Sequence, residues 1–199
     1  MGYTREQVEA AVKAKGYVYF EDTSNKGFDA NIIGIRNAAT GQKVTNAFDD
    51  LITLSYKDET GVWKYHEWPA TTDPGKKGIL ESQNKSGIAR LVEGQYRGSH
   101  GIGLHQGKYE ALKQAKNVKV YRDANRDMNY DENKIEEGIF GINIHKAGAD
   151  STYVENWSMG CQVFKKSADF DIFMGICKKS SKLHGNSFTY TLIESSDIK

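Results

Sequence analysis

The residues able to do covalent chemistry gather in residues 138–164 of this chain. An imidazole, His145, ends the run Ile139-Phe140-Gly141-Ile142-Asn143-Ile144, whose β-branched content and near-alternation predict a buried strand. Sixteen residues further on, Ser158-Met159-Gly160-Cys161 sets a thiol behind a glycine and ahead of apolar Val163 and Phe164. A thiol attacks a carbonyl as its thiolate, and a nearby imidazole can take the proton. Gly160 lets the backbone approach a substrate closely, and the amides from Met159 to Cys161 can face a developing oxyanion. The loop between the two groups is small and polar and long enough to fold back. Its Tyr153, Asn156 and Trp157 are candidates for substrate contact, as are Ser158 and Met159 beside the Gly-Cys pair.

Other clusters compete for attention. Gly98-Ser99-His100-Gly101-Ile102-Gly103-Leu104-His105-Gln106-Gly107 is glycine-dense but has no Gly-Lys-Ser/Thr, so it is not a phosphate loop. His105 is a candidate to line the cleft. As a metal pair, His100 and His105 lack a third obvious ligand. Asp123, Asn125, Asp127, Asn129 and Asp131 place an oxygen at every second position, the start of an EF-hand-type calcium loop. Met128 stands where that loop has glycine and Lys134 where it has the bidentate glutamate, with Glu136 or Glu137 as substitutes, so a solvated polar turn and a structural calcium site both stay open. No cofactor is required by the cysteine chemistry. Two cysteines form neither a disulfide framework nor a zinc site, and Cys177, beside Phe173 and Ile176, reads as an inert buried thiol. His66 reads as a packed or solvated side chain on a strand.

Composition narrows the classes. At 199 residues the chain suits a single domain, residues 1–199, that can bury a real core. A net charge of +1 from 27 basic and 26 acidic residues mixed throughout leaves no footprint for nucleic acid or an anionic membrane. Twenty glycines and only two prolines fit a turn-rich sheet protein. The N-terminus lacks the apolar stretch of a secretory signal and no apolar run spans a bilayer, so the expectation is a soluble protein made in the cytoplasm.

The elements that must position the thiol and imidazole are short. Thr4-Arg5-Glu6-Gln7 is a capping box ahead of Val8, Ala11 and Val12 on one helical face, with Gly16 at the stop. Strands are predicted over residues 17–20, 31–36, 51–56, 62–68, 79–80, 88–92, 118–121 and 188–193, and short helices over 108–115 and 167–183. Asp73-Pro74-Gly75 is a turn. The fold expected is mainly β (α+β), a mixed β sandwich or barrel with an N-terminal helix and a helix after the catalytic loop.

The pattern Ile144-His145, a variable loop, then Ser158-x-Gly160-Cys161 with apolar residues after it resembles the signature of L,D-transpeptidases of the YkuD type, and more closely that of divergent bacteriophage relatives. Thr72-Asp73-Pro74-Gly75 is similar to a turn that leads to the cleft in that family. The resemblance covers residues 69–164 best, and residues 1–60 would then be a family-specific addition. It implies Cys161 as acyl-enzyme nucleophile, His145 as base, and backbone amides around Gly160 as oxyanion hole. It implies peptidoglycan as partner, with hydrolysis of stem or cross-link peptides at the wall or from within a phage particle alongside other virion proteins. Met159 replaces the family's second His, and Gln162-Val163 replaces its Arg or Asn. A virion structural or wall-binding protein with an inactive fold, and a cysteine peptidase acting on proteins, are the alternatives.

Overall fold

The computed structural model describes residues 2–199. Among the described residues eleven strands and three α-helices follow one another: α1 (Arg5–Ala14), β1 (Asn31–Arg36), β2 (Asp50–Lys57), β3 (Trp63–Thr71), α2 (Lys76–Glu81), β4 (Ile88–Leu91), β5 (Gly94–His105), β6 (Tyr109–Gln114), β7 (Val118–Asp123), β8 (Ile135–Gly138), β9 (Ile144–Lys146), β10 (Gln162–Phe164), α3 (Ser167–His184) and β11 (Phe188–Glu194). Eight strands close a barrel in the order β1-β11-β5-β6-β9-β10-β3-β2, and β4-β7-β8 form a separate three-stranded sheet. The protein is thus mainly β with few helices. The β1/β11 and β9/β10 pairs are parallel, the latter setting His145 opposite Val163.

α1 starts as its capping box dictates: Thr4 Oγ1 accepts the Gln7 N–H at 3.2 Å and Gln7 Oε1 accepts the Thr4 N–H at 3.0 Å. Its Val8, Ala11 and Val12 pack on Ile33, Ile35, Leu51 and Ile193, the outer face of β1, β2 and β11. The inner faces meet in the main core, where Trp68 and Phe164 join Phe170 and Phe173 of α3, ring centroids 4.9–6.2 Å apart. Each such buried side chain contributes roughly 1.5–3 kcal/mol of burial free energy. Since β1 and β2 are barrel staves, residues 31–57 are integral to the barrel.

Several local expectations fail for identifiable reasons. Residues 17–20 are extended but join no ladder, because side chains take their backbone groups. Gln95 exchanges two hydrogen bonds with the Val18 backbone and Asn31 two with Phe20. Ile79 and Leu80 lie in α2, not a strand, with Ile79 buried against Ile88 and Tyr130 and Leu80 exposed. The predicted helix over 108–115 is strand β6. Gln106 (φ +50°) and Gly107 (φ +72°) form a tight hairpin turn that pairs it with the glycine-dense β5, and this pairing outweighs the helix propensity of Glu, Ala, Leu and Lys. α3 begins after Lys166, with no side-chain cap from Ser167 or Asp169.

The strand predicted over residues 139–144 is regular only from Ile144. Upstream, Gln114 stands in for a neighbouring strand: its Oε1 accepts the Phe140 and Ile142 N–H groups at 3.0 and 2.9 Å, and its Nε2 donates to the Gly138 carbonyl at 2.8 Å. Buried His100 donates from Nε2 to the Ile142 carbonyl at 2.9 Å while its Nδ1 accepts from Ser99. Side chains satisfy the backbone groups a ladder would otherwise pair, which frees this stretch to bend toward the thiol.

Candidate active site

β9 and β10 are adjacent, parallel staves of the barrel, so the residues before them are neighbours. The Gln162 N–H donates to the Asn143 carbonyl at 2.9 Å, bringing Cys161 beside Asn143. The Asn143 N–H donates to Cys161 Sγ at 3.5 Å, and the thiol donates to the Gly141 carbonyl at 3.3 Å. Cys161 is partly exposed, and Cys177 is fully buried on α3. Burial pushes the Cys161 thiol up to about 11 against the pull of the Asn143 N–H. At rest the sulfur is a neutral thiol.

The loop before Cys161 is clamped from three sides. Ser158, wholly buried, accepts the Gly160 N–H at 3.2 Å and donates to the Cys161 carbonyl at 2.8 Å. Gly160 has φ +115°, and a Cβ there would stand 2.3 Å from the Ala89 carbonyl oxygen, so only glycine fits. Gln162, also fully buried, accepts from Tyr190 Oη at 2.8 Å and donates to the Gly160 and Thr72 carbonyls at 3.3 and 3.4 Å. The Gly160 amide is therefore engaged inside the protein, whereas among the described residues no group accepts from the Met159 or Cys161 N–H. Those two amides are the ones left to face an oxyanion.

The turn over residues 72–75 braces this loop through the Gly75 N–H, which donates to the Ser158 carbonyl at 3.0 Å. The turn is itself held by a buried ion network. Arg36, 2% exposed, pairs with Asp73 at 2.8 Å and with Glu93, and donates to the Thr72 and Leu91 carbonyls. Arg90 reaches Asp73 at 2.8 Å, and Asp50 accepts from the Thr72 N–H and hydroxyl at 2.7 and 2.9 Å. Burial raises the Asp73 carboxyl, but Arg36 and Arg90 outweigh it and hold it below the usual carboxylate range.

His145 is buried, and its Nδ1 lies 3.0 Å from the Lys146 carbonyl oxygen, with Tyr109 Oη 3.3 Å away. A carbonyl only accepts, so Nδ1 carries the proton and Nε2 keeps the lone pair that a base needs. His105 stacks on His145 with centroids 4.1 Å apart and planes 20° from parallel. Asn143 Nδ2 donates to His105 Nδ1 at 3.2 Å, its Oδ1 being occupied by the Gln114 N–H. Burial, then the neighbouring His105, push His145 down to about 4, and burial with Lys108 and Lys113 lowers His105. Both rings are neutral at pH 7.

A cleft of about 440 Å³ is lined by His105, Tyr109, His145, Trp157, Met159 and Cys161, together with Gln106, Lys108 and Asn156. It brings together the sequence candidates Cys161, His145, His105, Trp157, Met159 and Asn156. Ser158 and Gly160 are buried and do not line it. Tyr153 is exposed and bridges to Ala47, outside the cleft. His66 stacks between Tyr56 and Trp68, remote from it. Lys108 and Tyr109 were hidden by the helix reading. The Gln-Gly dipeptide between two apolar runs was the hairpin signal that would have set them beside His105.

In the acidic loop two of the alternating oxygens are taken by local amides. Asn125 Oδ1 accepts the Asp127 N–H at 3.1 Å and Asp127 Oδ1 the Asn129 N–H at 2.9 Å. Among the described residues no three His, Cys, Asp or Glu side chains form a ready metal cage. Among the described residues, too, no helix is long and apolar enough to cross a membrane.

Compared with known proteins, the chain matches no family model, no curated protein and no solved structure.

Proposed function

We propose that this chain is a cysteine-dependent acyl-transfer enzyme acting on peptidoglycan stem or cross-link peptides, its barrel of the L,D-transpeptidase type. The observation that carries the reading is the meeting of Cys161 and His145 in one cleft, with His145 Nδ1 committed to the Lys146 carbonyl and Nε2 left as base.

Because both groups rest neutral, proton removal accompanies attack. His145 Nε2 takes the thiol proton as Sγ bonds to the peptide carbonyl carbon, and the carbonyl oxygen becomes an oxyanion facing the Met159 and Cys161 amides. Collapse breaks the C–N bond, and the imidazolium returns its proton to the leaving amine. The remaining thioester is opened by water, which leaves a carboxylate and restores the thiol. Trp157 and Met159 form an apolar wall and Lys108 offers a cation to an anionic part of the substrate. Hydrolysis, with action at the wall or from a phage particle, is the favoured outcome.

A second reading, a wall-binding or virion protein without chemistry, draws on one observation: the thiol donates to the Gly141 carbonyl instead of to His145. Digestion of purified sacculi, with casein as control substrate, separates the readings. Release of muropeptides by the wild type and none by Cys161→Ser supports the enzyme. Sacculus binding without release supports the second reading, and casein cleavage alone supports a protein-directed peptidase.

A further inference from the structure

The segment joining β7 to β8 carries a charge arrangement that the catalytic reading leaves unused. β7 ends on Asp123, 1% exposed. Its Oδ1 accepts the Arg126 N–H at 2.7 Å, but Oδ2 is buried with no donor, and so is Oε1 of Glu132. The two side chains lie against each other. Burial, followed by neighbouring carboxylates that include Asp131, raises both carboxyls above their ordinary range. The nearby cations are committed elsewhere: Arg122 to Glu136 and the Gly87 carbonyl, Arg126 to the Ser82 carbonyl. Two buried carboxyls within hydrogen-bonding reach of each other need either a shared proton or a positive partner.

We propose that Asp123 Oδ2 and Glu132 Oε1 are ligands of a hard divalent cation of the calcium class, with Asp131 adding charge and water completing the shell. Oxygen donors alone select a hard ion over zinc or copper. Two protein carboxylates make an open site, at the weak end of calcium affinities, about 10⁻⁴–10⁻³ M. The cation would fasten the entry of β8 to the end of β7. The same small sheet holds Ala89 against Gly160 and Arg90 on Asp73, so it reaches the nucleophile loop.

The test is calorimetric titration of chelator-treated protein with calcium chloride, paired with thermal unfolding, on the wild type, Asp123→Asn and Glu132→Gln. Binding saturating at about 10⁻³ M or below with a rise in Tm, both lost in either variant, is the expected result. Glu132 is only partly buried and glutamine has its shape, so Glu132→Gln carries the test should Asp123→Asn fail to fold. Absence of heat and of a Tm shift in the wild type overturns the proposal, as does a shift that survives in Glu132→Gln. A wild type indifferent to calcium but more stable as Glu132→Gln would mean that the two carboxyls share a proton, which also overturns it.

Discussion

Gln162 and Tyr190 offer the sharpest test of how the nucleophile is held. The Tyr190 hydroxyl is buried where Gly34 leaves room, since a Cβ at Gly34 would lie 1.9 Å from it, and Gln162 Oε1 accepts its proton at 2.8 Å. Gln162→Leu leaves that hydroxyl without an acceptor and withdraws the donor from the Gly160 and Thr72 carbonyls, costing about 3 kcal/mol. Tyr190→Phe leaves one amide oxygen unpaired while the other two hydrogen bonds survive, costing about 1–2 kcal/mol. In the double variant nothing is stranded between the two positions, so its loss falls short of the sum by about 1–2 kcal/mol. Urea unfolding of the four proteins measures the cycle, and alkylation of Cys161 followed by intact mass measures the loop. Faster alkylation of Gln162→Leu than of the wild type is expected, because the Gly160 carbonyl loses its tether. Additivity within about 0.5 kcal/mol together with unchanged alkylation would refute the clamp.

Three further outcomes follow from the same geometry. His145 and His100 are both pushed down to about 4, His100 by burial. Their folded values lie below the unfolded value, so the unfolded chain binds protons first. Stability should therefore fall as pH drops from about 6.5 to about 4, by up to about 3 kcal/mol per histidine, while the acid limb of kcat/KM sits near 4 instead of 6.5; urea midpoints and rates across pH check both. Ser158→Ala strands the Gly160 amide and loses the bond to the Cys161 carbonyl, so a loss of about 2 kcal/mol is expected in urea unfolding, with reduced sacculus digestion although Ser158 is buried and does not line the cleft. Asp73→Asn leaves Arg36 buried with reduced compensation and should cost about 3–5 kcal/mol; a wild-type Tm for this variant would contradict the buried network.

The β-rich character, α1 and the place of His145 and Cys161 in one cleft were legible because each is written locally: an apolar β2 and an alternating β3, a capping box, and a strand-end histidine upstream of Ser-x-Gly-Cys. What was illegible depends on partners distant in sequence. β6 looks helical until β5 is beside it. The extended segment at residues 17–20 is held by Gln95 and Asn31, and the bend at 138–143 by Gln114 and His100. Gln162 looked like a departure from the family pattern, and only the neighbouring Tyr190, Gly160 and Thr72 give it a role. In the acidic loop spacing alone could not show which oxygens stay free: Asn125 and Asp127 turn theirs to local amides, whereas Asp123 inside the alternation and Glu132 outside it each keep a buried oxygen without a donor.

The most direct measurement is muropeptide release from purified sacculi by the wild type, Cys161→Ser and His145→Gln, with intact mass spectrometry of the protein during turnover. An acyl adduct on Cys161 is expected in the wild type and none in Cys161→Ser, with a rate lowered by about 10²–10⁴ in His145→Gln. Intact sacculi and no adduct with the folded wild type, or release that persists in Cys161→Ser, would contradict the proposed function.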